Sequence, residues 1–250
     1  AWLQLQLSEY KGLSQTLQMK GTRVLEELSS PLGLISIVES PAVPLRLVPG
    51  LSLNKTQEPP AQLGQFIDGD APSPLNRFTG DLQAFSYLAY QTSALPYHLR
   101  QPEKVLILGM GGGSGLLQAA LHQVAQIEAV ELDPQVARLL QQDYADYAGW
   151  QYLESRVKVH LGEARGHLAS SRDRYDLIQI SLLDSASAAS GGVYGLSESY
   201  LYTREAIAEY LQHLNPNGLL SITRWVKVPP RDGLKLLATS IEALRLHGVE

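Results

Sequence analysis

Cysteine is absent from this sequence of 250 residues. A chain without thiols has no disulfide framework, no zinc-thiolate site and no thiol nucleophile, and it fits a reducing compartment. Basic runs are absent too, and the net charge is −5 with a pI of about 5.7. Because that charge repels a phosphate backbone, we expect no nucleic-acid partner.

Long apolar runs are also missing from the chain. No stretch approaches the ~20 apolar residues of a membrane-spanning helix, and no basic-then-apolar leader is present. The pattern therefore predicts that the chain as given is soluble. It begins at Ala1 and stops directly after a predicted helix at 233–247, so we expect a fragment of a longer protein.

The first third of the chain is rich in Pro, Gly and Gln. Short apolar runs at 34–38 and 45–48, separated by prolines, predict short antiparallel strands. The prolines and glycines of 59–74 predict a long irregular connection. A helix through 85–95 follows, with Asp81 as its N-cap and Pro96 at its end.

From Lys104 onward, apolar runs alternate with helix-length amphipathic segments. This alternation predicts an α/β fold, a doubly wound Rossmann-like parallel sheet with right-handed crossovers. The predicted strands are 105–108, 127–131, 157–160, 175–181 and 219–223, and the predicted helices are 115–124, 134–147, 164–170, 199–213 and 233–247. We divide the chain into a linker or docking segment (1–30), a small N-terminal β-rich appendage with a connecting helix (31–100), and a nucleoside-binding α/β domain (101–250).

A glycine-rich turn is the strongest functional signal. Gly109, Gly111, Gly112, Gly113 and Ser114 lie between the first strand of the α/β domain and its helix. Glycines let the backbone turn tightly and approach a ligand closely, and the helix N-terminus offers N–H donors. The alternative is a tight strand-to-helix turn without a ligand.

Acidic residues lie at or after the ends of the next three strands. Glu131 ends its strand roughly 20 residues beyond the glycines, where a carboxylate binds a ribose diol, so we predict that role for it. Asp133 precedes Pro134 and is predicted to be a helix N-cap. Glu163, before Ala164, can accept the adenine amino group or simply favour its own helix dipole, and Asp184 can face a substrate.

Several motifs together resemble the spermidine synthases, a family of aminopropyltransferases within the class I methyltransferase superfamily. The matching segments are the glycines at 109–113, then Val130-Glu131-Leu132-Asp133, Gly162-Glu163-Ala164, Tyr175-Asp176-Leu177-Ile178 and 214–220. The resemblance implies a methyltransferase-type sheet that binds S-adenosylmethionine or decarboxylated S-adenosylmethionine next to a small acceptor such as an amine. It assigns Gly109, Gly111, Gly112, Gly113, Ser114, Glu131, Glu163, Ala164 and Ser181 to cofactor binding.

The chain departs from the family at the catalytic positions. Ser114 stands where the family has an acid, and Ser181 stands where it has a general-base aspartate. Of the family's Asp-x-x-Asp pair only the second member, Asp184, remains, so Asp184 and Ser181 are the catalytic candidates. A small-residue segment from 185 to 195 replaces the family's gate, and it is predicted to be a lid or an ordinary surface loop, with Tyr194 as the aromatic that closes on a ligand.

Three functions remain open at this point. The first is transfer of a methyl or aminopropyl group to a small acceptor, with ordinary transfer to putrescine opposed because a serine is not a base. The second is a non-catalytic nucleoside sensor that regulates an attached membrane transport region. The third and weakest is a nicotinamide dehydrogenase, opposed by Ser114 at the third glycine position.

Further expectations concern metals and partners. The six histidines show no metal-ligand spacing, so no metal is predicted. The segments 10–14, 49–54 and 201–203 are similar to bacterial proteins in which a spermidine synthase-like domain follows a multi-span transporter-like region. That resemblance implies a place on the cytoplasmic face of a membrane, and a sheet with an exposed edge suggests a homodimer.

Overall fold

The N-terminal part of the chain forms an antiparallel sheet. The computed structural model of the protein describes residues 7–183, 200–226 and 228–248. The four strands, in the order β1-β2-β3-β4, are β1 (Arg23–Ser30), β2 (Gly33–Glu39), β3 (Gln62–Ile67) and β4 (Asp70–Asn76). β1 lies inside the predicted linker 1–30 and pairs with β2. The division of the chain into domains stays a prediction.

The predicted irregular connection at 59–74 is wrong, because β3 and β4 form a hairpin there. Asp68 and Gly69 both have positive φ in the turn between them, as two-residue hairpin turns require. Pro72 and Pro74 belong to β4, which is the edge strand of the sheet. An edge strand tolerates proline, since an N–H that faces outward has no partner strand to lose.

The predicted strand at 45–48 is also wrong. The backbone N–H of Leu47 donates to Oε1 of the Gln62 side chain at 2.7 Å instead of to a neighbouring strand. Pro44 and Pro49, on either side of this run, have no N–H to offer to a ladder. The Gln62 side chain therefore accepts the backbone hydrogen bond that a neighbouring strand was expected to accept.

A short helix, α1 (Gly12–Leu17), precedes β1. After β4, helical turns connect the two sheets, and the first of them is a 3-10 helix at Leu82–Tyr90. The predicted N-cap Asp81 is confirmed, since its carboxylate accepts the N–H of Gln83 at 2.8 Å. Pro96 does not end a helix as predicted: it lies in the first turn of α2 (Leu95–Leu99), where a missing N–H breaks no intrahelical bond.

The second sheet is parallel and has five strands, which confirms the predicted Rossmann-like fold. The order is β7-β6-β5-β8-β9. The strands are β5 (Lys104–Leu108), β6 (Gln126–Glu131), β7 (Val157–Leu161), β8 (Tyr175–Ser181) and β9 (Leu214–Thr223). The helices are α3 (Ser114–Leu121), α4 (Pro134–Arg138), α5 (Ala145–Ala148), α6 (Trp150–Leu153), α7 (Ala164–Ser170), α8 (Arg204–Gln212) and α9 (Arg231–Leu246).

The helix predicted at 134–147 is broken into pieces. After α4 the chain makes a π turn at Leu139–Asp143, and α5 ends at Gly149, which has a φ of +70°. A Cβ on Gly149 would lie 2.3 Å from Cγ of Phe78, so the connection to the second sheet passes close against this backbone. The predicted helix is therefore interrupted at the π turn, and Gly149 ends α5 in the left-handed conformation that suits glycine.

Both faces of the parallel sheet are buried. Leu106 and Ile178 pack with Tyr210 of α8 on one face, while Ile107 on the other face belongs to the same apolar cluster as Ile37 of β2. The two sheets therefore share one core. Within the described ranges, no helix has the length and apolar character needed to cross a bilayer.

Candidate nucleoside-binding site

The strand order indicates where the parallel sheet would bind a ligand, in the crevice expected beyond the carboxyl ends of its strands. Sequence order reverses between β5 and β8, and ligands of such sheets bind at that point, beyond the carboxyl ends of the strands. Leu108 pairs with Val130 and Ile180, and Glu131 pairs with Leu161. This register brings the predicted residues together at the carboxyl end of the sheet, because each lies at or just beyond a strand end. They are Gly109, Glu131, Glu163 and Ser181.

The glycine loop has the backbone conformation that only glycine adopts easily. Gly109, Gly111 and Gly113 have φ values of +84°, +48° and +86°. The N–H of Gly109 donates to the carbonyl of Val130 at 2.8 Å, and that of Gly113 donates to the carbonyl of Met110 at 2.9 Å. The loop is thus held by its own strand neighbours before any ligand binds.

Other parts of the protein come close to the glycine loop. A Cβ on Gly112 would lie 2.1 Å from the carbonyl oxygen of Pro74, and its N–H donates to Oγ of Ser73 at 2.7 Å. A Cβ on Gly109 would lie 2.2 Å from Cδ2 of Leu183. Gly112 therefore serves the contact with β4, a role that its motif does not reveal.

Ser114 is tied to the first sheet. Its Oγ accepts Nδ2 of Asn76 at 3.0 Å. Oδ1 of Asn76 in turn accepts Nε2 of Gln62 at 2.9 Å and the hydroxyl of Tyr87 at 2.7 Å. Burial raises the pKa of the Tyr87 hydroxyl well above its usual value, so it remains a hydrogen-bond donor.

Glu131 is the buried carboxyl group of the site. It is 8% exposed, and its two oxygens accept the N–H groups of Met110 at 2.9 Å and Asp133 at 3.0 Å. Burial raises the pKa of this carboxyl, the nearby charge of Asp133 adds to the rise, and the backbone hydrogen bonds oppose it. Each oxygen keeps acceptor capacity, since a carboxylate oxygen has two lone pairs.

Asp133 is a helix N-cap, as predicted. Its Oδ1 accepts the N–H of Gln135 at 2.9 Å at the start of α4, next to Pro134. Its other oxygen accepts the hydroxyl of Ser30, at the end of β1, at 3.1 Å. Asp133 therefore joins the two sheets as well as capping the helix.

Glu163 caps α7. One oxygen, Oε2, accepts the N–H of Gly166 at 2.7 Å, and Ala164 is the first residue of the helix. The structural role weighed for Glu163 is thus present, and its other oxygen keeps acceptor capacity for a ligand. The assignment of Glu163 and Ala164 to cofactor binding stays a prediction.

Ser181 ends β8 beside Thr223 of β9. Its Oγ is buried and has no hydrogen-bond partner among the described residues. Such an atom is uncommon in a folded protein and marks a place where a ligand or a water supplies the missing bond. The other two predicted residues, Asp184 and Tyr194, lie outside the described residues together with the segment 185–195.

Sequence reasoning missed the contribution of the first sheet to this site. Ser73 and Asn76 contact the glycine loop from β4, which was predicted to be irregular. The Asp68-Gly69 pair between two apolar runs is a hairpin signal that would have revealed β4. That β4 crosses the glycine loop is not encoded in any local pattern.

Comparison with known proteins gives a consistent result. A family model described as "Spermine/spermidine synthase domain" matches residues 90–226. The chain is 29% identical over 136 residues to a polyamine aminopropyltransferase of Korarchaeum cryptofilum, a match that covers 54% of this chain and 40% of that protein. It is 26% identical over 154 residues to the enzyme of the same name from Sulfolobus acidocaldarius, covering 61% of this chain and 47% of that protein.

A polyamine aminopropyltransferase of Vibrio vulnificus is 30% identical over 140 residues, with 54% of this chain and 42% of that protein covered. The chain thus spans less than half the length of these curated relatives in each match.

Solved structures support the fold. The spermidine synthase of Thermotoga maritima superposes with a TM-score of 0.57 and 17% identity, covering 89% of this chain and 63% of that one. A spermidine synthase in complex with the transition-state analogue AdoDATO has a TM-score of 0.55, with the same identity and coverage. Since the family model matches more than half of the residues, the chain belongs to the spermine/spermidine synthase domain family.

Proposed function

We propose that this domain transfers an aminopropyl group from decarboxylated S-adenosylmethionine to a small amine acceptor. The observation that carries the proposal is Glu131, a buried carboxyl group at the end of β6 and next to the glycine loop, in a chain of this family. At this position in a Rossmann-like sheet, an acid binds a ribose diol.

The residues present fit a nucleoside. Glu131 keeps two oxygens with free lone pairs at the crevice, and Glu163 keeps one oxygen for an adenine amino group. Ser181 has a buried hydroxyl without a partner among the described residues, which a polar atom of the ligand would satisfy. Leu183, which lies against Gly109, provides an apolar contact at the same end of the sheet.

Proton removal is the step at which this chain differs from its relatives. When bound, the sulfonium nucleoside supplies an activated carbon, to which the amine nitrogen bonds as the carbon–sulfur bond breaks and the amine loses a proton. An alkylamine has a pKa near that of lysine, about 10.4, so it needs a base at neutral pH. The hydroxyl of Ser181 is not that base, and we propose Asp184 to hold the cationic acceptor and take the proton.

Binding is the first test of the proposal. The purified chain is titrated by calorimetry with decarboxylated S-adenosylmethionine, S-adenosylmethionine, methylthioadenosine and NAD. We expect binding of at least one sulfonium or thioether nucleoside, weakened tenfold or more by Glu131→Ala. The exposed acid Glu154 is the matched control, and Glu154→Ala should bind as the wild type does. Binding of none of the four ligands, or of NAD alone, would contradict the proposal.

Turnover separates the proposed reaction from its alternatives. With decarboxylated S-adenosylmethionine and a diamine, we expect release of methylthioadenosine, lost in Asp184→Asn. Methyl transfer instead would release S-adenosylhomocysteine from S-adenosylmethionine. A second candidate, a non-catalytic nucleoside sensor, is favoured by the serine at position 181. Tight nucleoside binding without release of either product, with any diamine, would support it.

The cellular setting remains part of the proposal. We propose that the domain lies on the cytoplasmic face of a membrane, attached to a transport region, and that it forms a homodimer. Fractionation of the full-length protein would test the first two statements, and sedimentation of the purified chain would test the third.

A further inference from the structure

A carboxylate and two histidines meet on the face of the parallel sheet that α7 covers. Glu128 belongs to β6, His160 to β7 and His167 to α7. One carboxylate oxygen of Glu128 and one ring nitrogen of each histidine all lie within 4.8 Å of one another. The sequence predicted no metal site, because its histidines have no ligand spacing. The strand-to-helix return brings them together.

The two imidazole rings lie close together. Their centroids are 4.2 Å apart, at an interplanar angle of 43°. Nε2 of His167 is buried and has no hydrogen-bond partner among the described residues. Nε2 of His160 contacts Oε2 of Glu128 at 2.8 Å, and the His160 side chain is 21% exposed, which leaves a path from solvent.

Neighbouring side chains hold Glu128 in place. Its Oε1 pairs with Nζ of Lys104 at 2.9 Å, and its Oε2 accepts the hydroxyl of Tyr175 at 3.2 Å. Lys104 also pairs with Asp173 at 3.0 Å. With Lys158 also near His167 and Asp173, the two carboxylates face two ammonium groups, so it is the arrangement of the three donor groups, and not a net charge, that favours an ion.

We propose that Glu128, His160 and His167 bind a divalent transition-metal ion of the Zn²⁺ class. Two imidazoles and one carboxylate are a common ligand set for zinc, with water as the fourth ligand. Bonds of about 2.0–2.2 Å place the ligand atoms of a tetrahedral site roughly 3.3 Å apart. Small rotations of the two rings provide that spacing, and the ion then replaces the contact between His160 and Glu128.

The ion would tie α7 to two strands that already pair with each other. β6, β7 and α7 each supply one ligand, and the connection at 162–163 between β7 and α7 carries Glu163. A bound ion stabilises the native state according to its concentration and affinity, since the unfolded chain does not hold the three ligands together. The site thus stabilises the segment that borders the crevice, independently of the proposed transfer reaction.

The test is calorimetric titration of the full chain with Zn²⁺, after removal of any purification tag and dialysis against a chelator. We expect one ion per chain and a higher melting temperature with Zn²⁺. His160→Ala and His167→Ala should each weaken binding at least tenfold and abolish the thermal shift. Titration with Co²⁺ should give the visible absorption of a four-coordinate ion, absent in the variants.

The matched control is the other histidine pair, His98 and His122, whose rings are 5.3 Å apart. His122 also has a buried ring nitrogen without a described partner, but no carboxylate among the residues that the structure describes completes the group. His98→Ala and His122→Ala should therefore bind Zn²⁺ as the wild type does. Should His160→Ala fail to fold, His167→Gln, which removes no hydrogen bond of Nε2, gives the answer. Zn²⁺ affinity unchanged in the His167 variants, or weaker than millimolar in the wild type, would overturn the proposal.

Discussion

Glu131 is a buried carboxyl group that must be ionised if both of its oxygens are to accept hydrogen bonds from the hydroxyls of a ribose diol. Burial raises its pKa above the ordinary range of a glutamate, and the N–H groups of Met110 and Asp133 lower it only in part. Protonation removes acceptor capacity from one oxygen. The proposed nucleoside affinity is therefore full above this raised pKa and is lost as the pH falls through it.

We predict that, as the pH falls, the affinity for methylthioadenosine begins to decline at a higher pH than it would if Glu131 had the ordinary pKa of a glutamate. The measurement is calorimetric titration at a series of pH values between neutrality and the onset of acid unfolding. Glu131→Gln is the control, because its side chain does not titrate, and its weaker binding should be independent of pH across that range. A wild-type profile as flat as that of the variant would show that Glu131 does not contact the nucleoside.

Single residues also show how one motif serves two purposes. Gly113 fits the prediction, since its φ of +86° at the start of α3 needs a residue without Cβ. Gly112 has no positive φ, and it is glycine because β4 passes over it. Both belong to the same run of sequence, so a pattern of glycines cannot distinguish a glycine needed for its backbone conformation from one needed for a close contact inside the protein.

The element that joins β5 to α3 gives a sharp test of this packing. A Cβ at position 112 would meet backbone atoms of Pro74, at 2.1 Å from the oxygen and 2.4 Å from the carbon, and backbone cannot rotate away. We predict that Gly112→Ala lowers the free energy of unfolding by about 3 kcal/mol, as overpacking does. Denaturant unfolding measures the change.

Gly115, three residues later in the first turn of α3, is the matched control. A Cβ there would lie 3.6 Å from Cγ2 of Ile107, which is ordinary contact. Since alanine favours a helix over glycine by about 1 kcal/mol, Gly115→Ala should be neutral or stabilising. Equal destabilisation by both substitutions would contradict the assigned role of β4.

The β3–β4 hairpin shows where element prediction failed. Its prolines suggested an irregular connection, yet Pro72 and Pro74 are tolerated because β4 has an open edge. Strand position in a sheet is not visible from one segment, so propensity alone excluded β4. The helix predicted after Asp133 is interrupted within its length, at the π turn Leu139–Asp143, which the local helical pattern does not show.

At the scale of the whole molecule, Asn76 connects the two sheets. It is 1% exposed and links Gln62 and Tyr87 to Ser114 at the start of α3. Removing its amide takes one hydrogen bond each from Gln62, Tyr87 and the half-buried Ser114, and a buried group left unsatisfied costs about 1–3 kcal/mol. We predict that Asn76→Ala destabilises the chain by roughly 3 kcal/mol or more, measured by denaturant unfolding.

The same substitution should reach the proposed site. Because Ser114 loses the donor that holds it, nucleoside affinity in Asn76→Ala is expected to fall at temperatures where the variant is still folded. Asn54, which is exposed, is the control, and Asn54→Ala should change neither stability nor affinity. Loss of stability with unchanged affinity would mean that Asn76 serves the core alone.

The sequence by itself determined the parallel sheet, its family and the candidate residues Gly109, Glu131 and Ser181. Those signals are local, because apolar runs, glycine turns and strand-end acids report on the segment that contains them. The caps Asp81 and Asp133 were predictable for the same reason, since a cap bonds to a backbone N–H two residues away.

Only the tertiary structure decided which groups meet across long separations of chain. β4 on the glycine loop, Ser30 on Asp133, and Glu128 with His160 and His167 all join residues from different elements. No spacing rule encodes such contacts, because they depend on strand order, on register and on the direction in which each helix returns to the sheet. These contacts also decide which polar groups remain without a partner, and therefore where a ligand or an ion can bind.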